Sequence, residues 1–380
     1  MPLGPVSGIV LRLDSPAHPI FRSAAVTRDH LALISSELDI SPRQTAAVSE
    51  LLADGATVPF ISRYRKEATG SLDEVAITDI RDRLEQLEAL DKRREAIFKS
   101  LTERELLTPE LKRDVENAAT LAALEDVYLP HRPKRRTRAT MAKERGLEPL
   151  AHWLLEEAGK PHSTTSEASV AERAGEFVDP EKEVADTDAA LAGARDIIAE
   201  LMNENPDVRS ALRDLYVRAG IMESKLIKGK EAEGAKFRDY FDWSEPVRTA
   251  PGHRVLAMRR GEKEKILRLS VAPPEDQALD ILKRRYLANG SGAAHQVGLA
   301  AADGYKRLLS VAMETDIRLE MKKRADEEAI GVFAENLRQL LLASPLGRKR
   351  ILALDPGFRT GCKLVVLDAQ GKLLHHDTIY

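Results

Sequence analysis

Hydrophobic residues recur at helical spacing between positions 31 and 40, where the first ordered pattern of the chain begins. A second helix is expected directly afterwards, because Ser41 can cap it, Pro42 suits its first position and Gln44 completes a capping box. Gly55 is expected to end this second helix. The pattern predicts two consecutive helices, similar to a helix–turn–helix pair.

A longer apolar stripe predicts one extended amphipathic helix, and its members are Ile77, Ile80, Leu84, Leu87, Leu90, Ile97 and Leu101. Thr108 and Pro109 then restart a helix. The stripe of this second helix is Leu111, Val115, Ala118 and Ala122. The two segments together predict an antiparallel helical hairpin of coiled-coil type, with solvated faces rich in Asp, Glu, Lys and Arg.

The central part of the chain mixes polar segments with helical patterns. Residues 159–183 are polar and predict a loop. Helices are predicted at residues 186–203, 206–219, 232–241 and 303–343, the last with a kink near Gly331. Residues 253–258 and 265–271 alternate between apolar and polar side chains and predict two short strands.

The last thirty residues have a different pattern, with three apolar segments separated by turn-forming residues. They predict strands at residues 350–355, 362–367 and 372–380. A three-stranded meander of this size cannot bury both of its faces alone. The sequence therefore indicates the beginning of a larger domain, in a chain that is a fragment of a longer protein.

Composition narrows the class of protein. The formal net charge of -3 provides no overall attraction to nucleic acid, so any such attraction must come from local clusters. The single cysteine, Cys362, excludes an intramolecular disulfide and fits a reducing, cytoplasmic setting. No apolar run is long enough to span a membrane. Residues 1–29 lack a sustained pattern and are interpreted as a disordered extension.

The densest cluster of cations lies in a predicted basic loop at residues 129–146, and its members are Arg132, Lys134, Arg135, Arg136 and Arg138. Pro130 and Pro133 are expected to hold this loop extended, so that its like charges stay close together and attract phosphates. Two alternatives remain: pairing of the arginines with acidic residues of the neighbouring hairpin, and a nuclear-localisation signal.

A second segment combines aromatic and basic side chains, namely Phe60, Arg63, Tyr64, Arg65 and Lys66. Such a segment can stack on bases or hold phosphates. The alternative is a buried aromatic pair, with Arg63 and Arg65 in ion pairs to Glu67, Asp73 or Glu74.

Asp355 ends an apolar strand, which is where RNase H-like nucleases place their first magnesium ligand. Hydrolysis by two metal ions needs about three or four converging carboxylates. Asp368 lies in the next turn and Asp377 within a strand, so only Asp355 is suitably placed. A turn-capping aspartate is the favoured interpretation, without a catalytic residue, a metal site or a cofactor. Residues 289–292 resemble a phosphate loop that lacks its lysine, and they are interpreted as a flexible connection.

Three ordered stretches resemble the Tex family of transcription accessory proteins, bacterial relatives of a eukaryotic transcription elongation factor. They are residues 55–70 with Leu72 and Asp73, segments of residues 124–151, and residues 354–357 with Arg359, Thr360, Gly361 and Lys363. The resemblance covers about residues 30–380.

The resemblance implies a mainly α fold: a helical region with the hairpin at residues 30–128, a basic loop and central helical region at 129–345, and an incomplete RuvC/RNase H-like α/β domain at 346–380. It implies a monomeric, non-catalytic scaffold that binds RNA or DNA in transcription. RNA polymerase or other transcription proteins are expected as further partners. The family's helix–hairpin–helix elements and OB-fold RNA-binding domain are not in the matched part. The alternatives are half of a metal-dependent nuclease or resolvase, and a pure protein-interaction scaffold.

Overall fold

The computed structural model describes residues 28–133, 136–357 and 361–380, with only the backbone of Arg28. The helices are α1 (Arg28–Leu38), α2 (Pro42–Ala53), α3 (Val58–Tyr64), α4 (Lys66–Thr69), α5 (Glu74–Glu103), α6 (Pro109–Asn117), α7 (Leu121–Tyr128), α8 (Arg138–Glu144), α9 (Glu148–Gly159), α10 (Glu167–Gly175), α11 (Thr187–Asn203), α12 (Pro206–Ala219), α13 (Gly252–Lys263), α14 (Glu275–Tyr286), α15 (Gly292–Gly304) and α16 (Ser310–Leu341). The strands are β1 (Ile221–Leu226), β2 (Asp242–Pro246), β3 (Leu267–Ala272), β4 (Ile351–Gly357), β5 (Gly361–Leu367) and β6 (Leu373–Ile379). The predicted fold class is confirmed. Residues 1–29 were predicted to be a disordered extension, and residues 1–27 of it lie outside the described residues.

The chain forms two compact units that interleave along the sequence. The first contains the chain up to Arg213 together with Asp276–Ser310, and the second contains Asp214–Glu275 together with Val311–Tyr380.

In the first unit, the start of the helical region confirms Ser41 as the cap of α2, but the Gln44 side chain bonds to the Ser41 hydroxyl rather than to its backbone N–H, so the expected capping box is not formed. Ser41 accepts a hydrogen bond from the backbone N–H of Gln44 at 3.4 Å and donates to the Gln44 side chain at 2.7 Å. Gly55 has a φ of +84° just after α2, a conformation that glycine adopts at little cost. The helices α1, α2 and α3 pack against the first half of α5 around buried Ile34, Val48, Ile61, Ile77 and Ile80.

The hairpin has a shorter second arm than predicted. A single helix through Ala118 and Ala122 was expected, but α6 ends at Asn117 and α7 starts at Leu121. Thr120 separates them, because its hydroxyl accepts a hydrogen bond from the N–H of Ala123 and so caps a new helix. Leu111, Val115 and Leu124 still pack on the second half of α5 around a shared core.

A second bundle of the first unit surrounds α11, which contacts α8, α9, α10 and α15. The packing is close because small residues lie where the helices meet. A Cβ added to Gly193 would approach Leu147 Cδ1 to 2.3 Å, and one added to Gly304 would lie 3.1 Å from Ala199 Cβ. These contacts explain why alanine and glycine are frequent in α11 and α15.

A buried carboxylate ties α7 to α12. Asp126 is only 4% exposed and accepts hydrogen bonds from Arg209 Nε at 2.5 Å and from an Arg213 guanidinium nitrogen at 2.8 Å. Arg209 is itself buried, at 8% exposure. A charge in such a position is tolerated only because it is paired and hydrogen-bonded.

Residues 159–183 are not one loop, as was predicted, since α10 occupies Glu167–Gly175. The polar turn before α10 is held by Glu157 of α9, which accepts hydrogen bonds from Lys160, Ser163 and Thr165. These three hydrogen bonds lower the pKa of Glu157 to about 2, with that from Lys160 contributing most.

The segment at residues 289–292 is a packed junction, and the prediction of a flexible connection is wrong. The Asn289 amide donates to the backbone carbonyls of Glu157, Ala158 and Lys160, which closes the C-terminal end of α9. Ser291 caps α15 through the N–H of Ala294. A Cβ on Gly292 would lie 2.6 Å from the backbone nitrogen of Glu167. Glycine is therefore required where these two chain segments touch.

In the second unit, β1 is the middle strand of an antiparallel sheet with the order β2-β1-β3. Of the two strands predicted around residues 253–271, only the second exists; the first segment forms α13. Val255, Met258 and Gly261 are buried at intervals of three residues, which is a helical spacing, although the local alternation favoured a strand. Residues 232–241 form only a short 3₁₀ helix at Ala235–Tyr240.

The long C-terminal helix starts earlier than predicted. It runs from α15 through a π-helical turn at Tyr305–Leu309 into α16, which continues as a helix through Gly331. Within the second unit, α16 covers the outer edge of β3. Glu314 accepts from the N–H of Val271 at 3.2 Å, and Arg318 donates to the carbonyl of Leu269 at 3.5 Å. The free edge of β3 is thus paired with side chains.

The three predicted strands at the end of the chain are confirmed as a sheet with the order β4-β5-β6. Asp368 caps the turn between β5 and β6 by accepting from the N–H groups of Gln370 and Lys372, at 2.8 and 2.9 Å.

We expect Asp126→Asn to destabilise the protein by about 3–5 kcal/mol, because two cations would lose their buried counter-charge. Glu125→Gln is the matched control. Glu125 pairs with Arg93, and both side chains are about 40% exposed, so its loss should cost about 1 kcal/mol or less. Urea unfolding followed by circular dichroism measures both variants. Equal shifts of the two midpoints would contradict the role of Asp126.

We also expect Gly292→Ala to destabilise the protein by roughly 1–3 kcal/mol, because the new methyl group would meet backbone atoms that cannot move aside. Gly290→Ala is the control, since no atom lies within 4 Å of the Cβ it would add. Thermal unfolding should separate the two variants by several degrees. A normal melting temperature for Gly292→Ala would show that the junction is pliable.

Candidate nucleic-acid interface

The main candidate is the basic strap, defined as residues 132–138. It comprises part of the connection between α7 and α8 together with Arg138, the first residue of α8. Lys134 and Arg135 within it lie outside the described residues. The chain enters through a 3₁₀ turn at Leu129–His131. At this entrance Arg104, at the end of α5, donates to the backbone carbonyl of His131. The first end of the strap is therefore attached to the hairpin.

The other end of the strap is attached to α11. Thr137 and Thr140 form a reciprocal capping box at the start of α8. The Thr137 hydroxyl also donates to the Glu200 carboxylate at 3.0 Å. Residues 138–144 thus belong to a helix, and the prediction of one continuous loop over 129–146 is wrong. Among the described residues of that range, 132–133, 136–137 and 145–146 lie outside helical structure, while Pro130, which was expected to hold the loop extended, belongs to the 3₁₀ turn.

The described cations of the strap face solvent. Arg132, Arg136 and Arg138 are all exposed. Arg136, whose side chain is 70% exposed, pairs with Glu144 at 2.9 Å. The charge of Arg138 acts on Asp196 of α11: burial raises the pKa of that carboxyl group, while Arg307 and Arg138 oppose the shift. The strap therefore presents positive charge from a segment with fixed ends.

The sequence suggested pairing with the hairpin as an alternative. Among the described residues, the ion pairs around the strap are instead made with acidic side chains of the elements that follow it. Besides Arg136 and Glu144, Lys143 pairs with Glu148 at 2.8 Å, and Arg145 pairs with Glu183. Exposed pairs of this kind contribute little to stability and are easily exchanged.

The second candidate segment lies on α3 and α4. Phe60 and Tyr64 form the expected aromatic pair, with ring centroids 5.5 Å apart. The expectation that this pair is buried is wrong, since 44% of Phe60 and 69% of Tyr64 are exposed. Arg63 and Lys66 are exposed beside them, and Arg65 pairs with Glu67 at 3.1 Å, as the alternative had proposed. Among the described residues, no hydrogen bond or ion pair joins this segment to the strap.

Asp355 was predicted to end its strand, but β4 continues to Gly357, and Asp355 lies directly across from Lys363 of β5. A lysine in that position brings positive charge to the place where a cation would have to bind. In the part of the chain that the structure describes, no group of three or more His, Cys, Asp or Glu side chains is arranged to hold a metal ion.

Sequence reasoning missed the residues that fix the strap, namely Arg104, Thr137, Glu200 and Glu144. The spacing of Thr137 and Thr140 was a usable signal. It was overlooked because the usual capping box has Glu or Gln at the second position. The contacts made by Arg104 and Glu200 join residues far apart in sequence, which no local pattern reveals. Among the described helices, none is long and apolar enough to cross a membrane.

Comparisons with known proteins find family profiles that match three separate parts of the chain. Three family profiles match: the Tex-like protein N-terminal domain at residues 28–102, the Tex central region-like family at residues 165–333 and the Tex protein YqgF-like domain at residues 349–380.

Whole-chain relatives are similar over nearly all of this sequence. Protein tex of Bordetella pertussis is 42% identical, covering 94% of this chain and 46% of its own length. Transcriptional accessory protein Tex of Neisseria gonorrhoeae is 40% identical over 92% of this chain and 45% of its own. Human S1 RNA-binding domain-containing protein 1 is 26% identical, covering 93% of this chain and 36% of its own length. The chain spans less than half the length of these relatives, and it belongs to the Tex family.

Proposed function

We propose that this chain is a non-catalytic, nucleic-acid-binding scaffold that acts as a transcription accessory protein in the cytoplasm. The observation that carries the proposal is the basic strap: a short connection, attached at both ends, that exposes Arg132, Arg136 and Arg138. Because the backbone is held near these arginines, less conformational freedom is lost when they bind phosphates, which favours binding. Lys134 and Arg135 add two further charges by sequence.

The names of the relatives support the same proposed role. One is named as a transcriptional accessory protein, and another carries RNA binding in its name. The exposed aromatic pair, Phe60 and Tyr64, supplies the second element of single-strand recognition, because bases of any sequence can stack on such rings. We therefore assign phosphate contact to the strap and base stacking, assisted by Arg63, Arg65 and Lys66, to α3 and α4. RNA polymerase or other transcription proteins are the further partners that this role requires.

We expect the strap to control binding of labelled single-stranded RNA and duplex DNA in fluorescence anisotropy across a salt series. Changing Lys134, Arg135, Arg136 and Arg138 to Gln should lower affinity at least tenfold at low salt. The slope of log affinity against log salt concentration reports the number of counterions released, and it should become shallower by several ions because fewer phosphates are neutralised. The control changes four exposed cations on helices, Lys99, Lys112, Lys323 and Arg338, to Gln. An equal loss in both variants would mean that only overall charge matters.

We expect no cleavage of labelled RNA or DNA in Mg²⁺ or Mn²⁺, and no difference between the unchanged chain and Asp355→Asn. The reason is that Lys363 faces Asp355, while two-metal hydrolysis requires several converging carboxylates. Gel analysis with and without a chelator measures this. Cleavage that needs the metal and disappears in Asp355→Asn would instead establish the nuclease alternative.

A further inference from the structure

Glu144 is an unusual neighbour for a phosphate-binding segment. It is the last residue of α8, where the partial negative charge of the helix end disfavours a carboxylate. Its side chain is 59% exposed, so burial does not hold it in place. Its ion-pair partner is Arg136 of the strap, at 2.9 Å.

The pair spans the whole of α8. Arg136 precedes the capping residue Thr137, whereas Glu144 ends the helix seven residues later. At 1.5 Å per residue this separation is about 10 Å along the helix axis. The side chains of Arg136 and Glu144 must together bridge this separation to form their ion pair. Arg132, at the other end of the strap, forms no ion pair with any described residue.

We propose that Glu144 is an internal competitor for phosphate, which holds Arg136 along α8 until a nucleic-acid phosphate displaces it. This inference rests on the proposed function and specifies how the same site is regulated. An exposed ion pair is weak enough to be exchanged for a phosphate contact. The carboxylate thus lowers the affinity of the strap without abolishing it, and the free protein keeps part of its positive charge neutralised.

Glu144→Gln tests the proposal, because it removes the charge and keeps the shape of the side chain. Its affinity for labelled single-stranded RNA at low salt should rise roughly two- to fivefold, the range expected from losing one exposed competing pair. The slope of log affinity against log salt concentration should steepen by up to about one released counterion, since Arg136 is then free to neutralise a phosphate. The melting temperature should not fall, because the change removes a carboxylate from a helix C-terminus.

Two further variants separate this mechanism from a general effect of charge. Glu176→Gln removes a carboxylate that pairs with Arg173 on α10, so the net charge changes equally, but the strap is untouched. It should leave affinity nearly unchanged. In an Arg136→Gln background, Glu144→Gln should have no effect, because no guanidinium remains to be released.

Unchanged affinity of Glu144→Gln would overturn the inference, as would a gain that persists in the Arg136→Gln background. Either result can occur while the strap still binds nucleic acid. If the fourfold strap variant binds as well as the unchanged chain, the proposed function itself fails, and the assignment of Glu144 fails with it.

Discussion

The buried pairing of Asp126 with Arg209 and Arg213 is the constraint on which the geometry of the first unit depends. It joins α7, which ends the hairpin, to α12, more than eighty residues later in the chain. A buried carboxylate with two guanidinium partners has narrow requirements for distance and direction, so it fixes the position of α7. Because the basic strap begins just beyond α7, this interaction also determines where the strap starts.

Beyond α7, the position of the strap depends on two attachments, one at each end. Arg104 holds the carbonyl of His131, while the capping box of Thr137 and its bond to Glu200 hold the other end. The ends of the strap that the structure describes are thus held by their neighbours. Their charged side chains can stay in solvent without extensive packing of their own.

How far the sequence predicts this molecule depends on the range of the interactions involved. Caps such as Ser41, the break at Gly55 and the strands at the end of the chain were predicted correctly, because each follows from a few adjacent residues. Residues 253–258 were assigned wrongly, since an alternating pattern over six residues also fits a helix with one buried stripe. The roles of Asn289 and Glu144 could not be predicted, because their partners are identified only once the helices have packed.

The slightly negative net charge of the chain does not argue against binding to phosphates. At physiological ionic strength, exposed charges interact over a distance of about 8 Å, so a phosphate responds to the strap and its immediate surroundings. Glu144, Glu148 and Glu183 are among those surroundings, and each pairs with a cation in or near the strap. If the strap binds phosphates as proposed, the local balance of arginines and carboxylates, rather than the total charge, sets the affinity. In that case a single carboxylate at the end of α8 is enough to adjust it.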